Sequence, residues 1–382
     1  MRGVAPYPLP GFQFGSCIII KKTFYDDVAK PQSHGAGTDS GIAVEADPSL
    51  PQDTPSISSA PQAVSSAAVE VPVTTPSGSS ANSHLVSDTP LILYAYSESD
   101  TARVNMKFFI RHGLHAAADF VFILNGETNV SAIIPEEGNI RVVQRENKCY
   151  DIGAYAEVLT QDDLYKGYKR FIFLNASIRG PFLPRWAWGC WSDIYLGRLT
   201  DEVKLVGMTA NCVPSFHIQS MIWATDILGL STLLFPSEAT LNEYAVNPPK
   251  PFNAAKALLE ETQPQRPGMN YCFPDMTSAV TAEIGASTLI RAAGYKVDAM
   301  MSAYGDMERY VEMCKGEEKK EKKKGDVLYD KKYFGTNVHP FETLFMKSNR
   351  DIDPVGLARH SEWVEFGAGY SSYDFCKVPE KL

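Results

Sequence analysis

The chain has 382 residues, of which 44% are hydrophobic, 11% aromatic and 21% charged, with a formal net charge of −9. Such a length suits two or three domains, or one large domain with a tail, and the composition excludes collagen-like, disulfide-dense and wholly disordered proteins. The first 90 residues carry 4 Lys/Arg against 8 Asp/Glu and the remainder is also acidic, so a nucleic-acid partner held by phosphate neutralisation has little electrostatic support.

Residues 1–90 are expected as a disordered Ser/Thr/Pro/Ala-rich tail. From Pro31 to Pro90 there is no Phe, Tyr, Trp, Lys or Arg, so little apolar surface is available to offset the entropy of ordering. The apolar patch Cys17 to Ile20 is followed by Lys21-Lys22. It is far shorter than the ~7–15 residues of a signal-peptide core or the ~20 of a membrane span, and no later run reaches membrane-span length. No transmembrane segment is expected in this chain, so the expectation is either a soluble protein or a piece of a longer product that carries an anchor elsewhere. The seven cysteines stand singly, at 17, 149, 190, 212, 272, 314 and 376. Their spacing gives no zinc finger or thioredoxin motif, and their odd number gives no disulfide framework.

At Leu91 the texture changes. Leu91 to Tyr96 reads as a buried strand, and Ser97-Glu98-Ser99-Asp100 offers helix N-caps. A helix follows with Val104, Phe108 and Arg111 on one face, and Gly113 ends it. Strands are expected at Phe120–Leu124, Ile140–Val143, Phe171–Leu174 and Val203–Met208, with a helix carrying Ile152, Tyr155, Ala156 and Leu159 before the fourth strand. Ser220 to Leu234 reads as a helix ending near Gly229. Prolines between Phe235 and Pro274 suggest surface excursions, a helix runs from about Met276 to Ala293, and Lys315 to Lys324 reads as a solvated Glu/Lys run. Short apolar strands alternating with amphipathic helices define an α/β fold, a Rossmann-type mixed sheet flanked by helices. It occupies 91–350, and 351–382 forms a C-terminal extension.

In open α/β sheets ligands bind outside the carboxyl ends of the strands. The segments at those ends are Tyr94 to Ser97, Arg145 to Asp151 and Asn175 to Pro181. Arg145, Asn147 and Lys148 precede a helix and could hold a diphosphate. Asp151 could join them, or simply complement the helix dipole for ~0.3–1 kcal/mol. Asn175 and Ser177 could border a metal or ribose, or build an ordinary turn before Gly180-Pro181. Trp186, Trp188 and Trp191 could stack on sugar rings or pack in the core. His217 and Gln219, between a strand and a helix, could line an acceptor site. Glu283 lies about 60–100° round its helix from Val280 and Ile284, at the rim of the buried stripe. There it is either a solvated carboxylate or a base.

The run Glu146-Asn147-Lys148-Cys149-Tyr150-Asp151-Ile152-Gly153-Ala154-Tyr155, followed by Phe173-Leu174-Asn175-Ala176-Ser177-Ile178-Arg179-Gly180-Pro181-Phe182, resembles the glycosyltransferases related to rhamnan synthesis protein F. Their pattern is an Asn, a small residue, Tyr-Asp-(Phe/Ile)-Gly, then a strand ending in Asn-Asp-Ser and a Gly-Pro turn. Element order extends the resemblance over residues 91 to 350. It implies a GT-A fold, in which a Rossmann-like half binds a nucleotide sugar and the second half a glycan or other hydroxyl acceptor. Two positions depart from the pattern. Ala176 stands where an acidic ligand for Mn²⁺ or Mg²⁺ is usual, and Cys149 stands where glycine is usual. Asp100, Asp151 and Asp193 are carboxylates that could replace the lost ligand.

The resemblance implies the following roles. Tyr94, Tyr96, Ser97, Arg145, Asn147, Asp151, Asn175 and Ser177 bind the donor. Glu283, in Ala282-Glu283-Ile284-Gly285, is the base, and His217, Gln219 and Trp186 face the acceptor. His339 resembles the late histidine that ligates metal in many GT-A enzymes. Two readings stay open, a glycosyltransferase and an inactive GT-A-like module that binds a nucleotide sugar or glycan. Family habit implies the Golgi or another part of the secretory pathway.

Overall fold

The computed structural model describes residues 86–184, 186–187, 189–250, 267–314, 326–367 and 371–376. The expected tail up to residue 85, Trp188 and the Lys315–Lys324 run lie outside them.

Strand β1 (Leu91–Ser97) is buried over its first six residues, and Ser99 caps the following helix α1 (Asp100–His112) by accepting from the Ala102 amide. Such a cap stabilises a helix by ~1 kcal/mol. Gly113 ends α1 and Phe108 is buried, as expected, but the rest of the buried face carries Ala102, Asn105, Met106, Phe109 and His112. Val104 and Arg111 point to solvent, because the sheet lies one step round from the stripe that hydrophobicity alone suggested. Next come β2 (Asp119–Asn125), β3 (Ile140–Arg145) and helix α2 (Tyr150–Thr160), which buries Ile152, Tyr155, Ala156 and Leu159. Strand β4 (Arg170–Asn175) turns into the short β5 (Ile178–Arg179), then helix α3 (Trp191–Leu196) and strand β6 (Val203–Gly207).

The two-residue strands β7 (Ala210–Asn211) and β8 (His217–Ile218) form a separate pair. Ile222–Asp226, expected in a helix, is strand β9, and helix α4 (Ile227–Leu234) starts only after Asp226, whose side chain caps it at Gly229. A buried apolar run of this length does not reveal its period. Helix α5 (Glu238–Val246) occupies part of the proline-rich stretch. Helix α6 (Met276–Ala292), which begins with a capping box from Asp275, leads to β10 (Lys296–Ala299) and helix α7 (Met307–Cys314). The described chain finishes with α8 (Pro340–Thr343), β11 (Met346–Lys347), α9 (Pro354–Gly367) and α10 (Ser372–Phe375).

The main sheet has seven strands in the order β10-β6-β9-β4-β1-β2-β3. All neighbours are parallel except β9, which runs antiparallel to β4 and β6. The mixed α/β class is therefore as expected. From β1 the chain moves outward to β2 and β3, then returns to place β4 on the other side of β1. This reversal makes the carboxyl ends of β1 and β4 a topological switch point, where adjacent connections leave in opposite directions and open a crevice.

The C-terminal extension packs on this domain. Phe108, Phe182, Met346, Leu357 and Val364 share an apolar cluster, and Ser372 Oγ donates to His112 O at 2.6 Å. Six of the seven cysteines pair, as Cys149–Cys272, Cys190–Cys376 and Cys212–Cys314, and Cys17 lies outside the described residues. The expectation of no disulfide framework is corrected. Partners 123, 186 and 102 residues apart leave no local spacing to read.

Candidate functional site

A cleft of about 930 Å³ opens at the switch point. One wall is formed by Ala95, Tyr96 and Ser97 from β1 with Asn125 from β2, and the floor by Asn175, Ala176 and Ser177 at the end of β4. Asn147 to Ile152 form the loop entering α2, while Glu283 stands on α6 and Lys347 and Arg350 arrive from β11 and the turn after it. Asn147 and Asp151 from one loop, Asn175 and Glu283, drawn from three separate parts of the sequence, thus share one cavity.

The floor is a hydrogen-bonded chain. Lys347 Nζ donates to Ser177 Oγ at 2.8 Å, Ser177 Oγ donates to Asn175 Oδ1, and Asn175 Nδ2 donates to Asp151 Oδ2 at 2.5 Å. Burial pushes the Asp151 carboxyl above its ordinary range. The hydrogen bond from Asn175 opposes this shift, and the neighbouring Glu283 carboxylate adds to it. Burial also lowers Lys347 to about 8, assisted by the Arg350 charge and opposed by Glu283, Asp151 and Asp326. Glu283 Oε1 accepts from the Ser220 amide at 2.5 Å, which fixes one carboxylate oxygen at the cleft wall. At the rim Asn147 Nδ2 donates to Ser97 Oγ at 3.1 Å. Glu98 gathers the hydroxyls of Tyr96 and Thr128 and the Arg103 guanidinium, which together hold its carboxyl down to about 2.

The loop before α2 explains Cys149. Its backbone is left-handed, with φ 71 and ψ 4, a conformation that favours glycine. Here a cysteine adopts it, bridged to Cys272 on the opposite lip. Gly153 allows the two lips to meet, since a Cβ there would lie 2.6 Å from Tyr271 O and 2.8 Å from Cys149 Cβ.

Several expected donor and acceptor residues are elsewhere. Tyr94 points into the layer beside α1, its ring centroid 4.9 Å from that of Phe109 and 5.7 Å from that of Phe122. It is core, one step deeper on the same strand face as Tyr96. Arg145 does not line the cleft: its guanidinium is committed to Glu157, to Asn125 Oδ1 at 2.7 Å and to Lys148 O at 2.9 Å. It positions the loop. His217 is buried in β8 with Nδ1 2.8 Å from Ser215 O, outside the cleft. Gln219 does line it, but its amide is taken by Thr209 Oγ1 at 2.8 Å and Asp326 Oδ1 at 3.3 Å. Trp186 is 70% exposed and away from the cavity lining, while Trp191 is core, donating to Gly113 O.

The metal expectation fits poorly. His339 precedes α8 beside Phe341, outside the cleft. Asp100 and Asp193 do not line the cavity, and Ala176 offers no side-chain oxygen. Asp151 alone of the alternative carboxylates is present, with Oδ2 engaged by Asn175 and Oδ1 by the Ile152 amide. Among the described residues, the group of three His, Cys, Asp or Glu able to converge on an ion is His115 with Cys190 and Cys376. None of these three lines the cleft, and the two sulfurs are joined. Beside Ser177 the cleft presents an ammonium, Lys347, which would repel a divalent cation there.

Lys347, Asn349 and Arg350 were not foreseen. They reach the cleft because β11 pairs antiparallel with β5, Met346 opposite Arg179 and Lys347 opposite Ile178. Gly180 permits this approach, since a Cβ there would lie 2.5 Å from the Phe345 ring. Ser348 N and Oγ both donate to Ser177 O at 3.0 Å. A two-residue pairing across 170 positions leaves no local signature. The chain matches no protein-family model and no curated protein.

Proposed function

We propose that the chain is a glycosyltransferase of GT-A type, moving a sugar from a nucleotide sugar to a hydroxyl acceptor in the switch-point cleft. The observation that carries this reading is a carboxylate, Glu283, standing in the same cavity as polar strand ends and a helix-entry loop suited to an activated donor. The single antiparallel strand β9 within a parallel sheet accords with a fold of two unequal halves.

In this reading Ser97, Asn147 and Tyr96 face the nucleoside side of the donor, and Asn175 and Ser177 the sugar. In an inverting transfer the acceptor hydroxyl attacks the anomeric carbon, the bond to the diphosphate oxygen breaks with its electron pair, and Glu283 takes the hydroxyl proton. The bond from the Ser220 amide orients that carboxylate and leaves its second oxygen for the proton. Asp151 orients Asn175. The expected secretory-pathway location is supported by three disulfides among the described residues, because cytosolic thiols stay reduced. Among the described residues no helix is long and apolar enough to cross a membrane.

The test is a panel of UDP- and GDP-sugars offered to the full chain, scored for nucleotide binding and release. Wild type is expected to release nucleotide, and Glu283→Gln to lose ~10²–10⁴-fold of that release while still binding. Binding without release by wild type favours the inactive module. The absence of any binding overturns both readings.

A further inference from the structure

We propose that Lys347, seconded by Arg350, supplies the positive charge that neutralises the donor diphosphate, so that this cleft binds nucleoside diphosphates without a divalent cation. The inference rests on the glycosyltransferase reading of the site and goes beyond it by assigning the phosphate subsite.

Lys347 is the central observation. An ammonium carries three donors, and Nζ makes one hydrogen bond, to Ser177 Oγ at 2.8 Å. Among the described residues no carboxylate lies within salt-bridge distance of it. Glu283, Asp151 and Asp326 act on it through space, without contact. Lys347 is half-buried at the cleft wall with two of its donors unfilled, and an anionic ligand in the cleft is what would fill them. Even with its basicity lowered to about 8, it remains mostly charged at neutral pH.

Arg350 lies on the same wall, three residues on. Its Nη1 donates to Asp326 Oδ2 at 2.8 Å, and its guanidinium stacks 5.1 Å from the Tyr329 ring centroid. Asp326 is itself held by Gln219 and by the Leu328 amide. Arg350 is therefore anchored on one side and offers its remaining N–H groups to the cleft it lines. Arg and Lys together satisfy phosphate oxygens by charge-assisted hydrogen bonds.

The neighbouring chemistry points the same way. Ala176 lines the cleft without a side-chain oxygen, so this position neither competes with phosphate for the cations nor offers a ligand to a metal. Asn175 and Ser177, which remain, are neutral. The leaving diphosphate gains negative charge as the sugar bond breaks, and fixed cations beside it stabilise that charge without a cation having to be recruited.

The experiment is isothermal titration of the full, disulfide-intact chain with inorganic pyrophosphate, UDP and GDP, each in EDTA and in Mn²⁺. Expected are dissociation constants within about threefold in the two buffers for whichever nucleotide binds, and for pyrophosphate. Lys347→Gln should weaken both by at least tenfold, with Lys347→Arg recovering most of the loss. Arg350→Gln, an independent variant on the half-exposed wall, should weaken them about threefold or more. Nucleotide binding that needs Mn²⁺, or that is unchanged in Lys347→Gln, overturns the proposal and leaves the glycosyltransferase reading standing. Absence of any nucleotide binding by wild type overturns that reading, and this proposal with it.

Discussion

Lys347 Nζ and Ser177 Oγ meet at 2.8 Å across 170 positions of chain, and that contact joins the last strand to the floor of the cleft. Ser177 is also tied to Asn175, so one hydroxyl serves both the cation and the amide that Asp151 orients. Ser177→Ala should therefore leave a half-buried ammonium without its acceptor. Urea denaturation is expected to show a loss of ~0.5–1.5 kcal/mol, the net contribution of such a hydrogen bond. An unchanged midpoint would mean that solvent already satisfies Lys347.

Asp151 and Glu283 are both carboxylates in one cavity, and the Asp151 carboxyl is raised by burial. Its native proton affinity thus exceeds that of the unfolded chain. Above the unfolded value the native state binds more protons, so this group's contribution to stability falls as pH rises through the native value. Asp151→Asn keeps the shape and can still accept from Asn175 Nδ2. Relative to wild type it should gain about 0.5–2 kcal/mol at pH 7.5, and the gain should shrink toward zero as pH falls below about 4, the ordinary aspartate range. Paired denaturation curves at the two pH values read this directly. A variant less stable than wild type at pH 7.5 would show that the charge is compensated in place, with Lys347, which interacts with Asp151 through space, a source of the compensation.

Cys149 combines a bridge and a left-handed backbone, and the two contributions separate by mutation. Removing a native disulfide typically costs ~2–5 kcal/mol. Cys149→Ala/Cys272→Ser loses the bridge and keeps a Cβ at φ 71, whereas Cys149→Gly/Cys272→Ser loses the bridge but relaxes the backbone. The glycine version should be the more stable by about 1–2 kcal/mol, the cost of the left-handed conformation for a residue with a Cβ. Equal thermal midpoints would indicate that the loop changes conformation once the bridge is gone.

What the sequence revealed follows from where its signals are local. β1, β2, β4 and α2 were legible because their apolar residues run together or recur at helical spacing, and Ser99 and Gly113 punctuate α1 as caps should. The strand ends at Ser97, Asn147, Asp151, Asn175 and Ser177 could be named because parallel strands put their carboxyl ends on one edge. β9 was read as helix because Ile222-Trp223-Ala224-Thr225 is too short for its period to decide. Arg145 looked like a phosphate ligand because its partners, Asn125 and Glu157, are settled only by the fold. Lys347 and Arg350, two of the three cations that line the cleft, stand on a strand of two residues and the turn after it, and nothing in their own neighbourhood marks them.

Gly153 tests whether the two lips of the cleft are as closely apposed as the backbone implies. It sits on α2 one turn after Cys149, facing the Tyr271–Phe273 segment, where a methyl group would be 2.6 Å from a backbone oxygen and 3.4 Å from the Phe273 ring. Helix propensity alone would make Gly153→Ala stabilising by ~1 kcal/mol. Overpacking opposes it, at ~1–3 kcal/mol, and no flexible side chain can move aside because the first obstacle, Tyr271 O, is main chain. The expected net result is destabilisation, together with weaker nucleotide binding as the 147–151 loop is pushed from Asn175. A gain in thermal midpoint with unchanged binding would instead mean that the 271–273 segment yields easily and that the disulfide alone sets the width of the cleft.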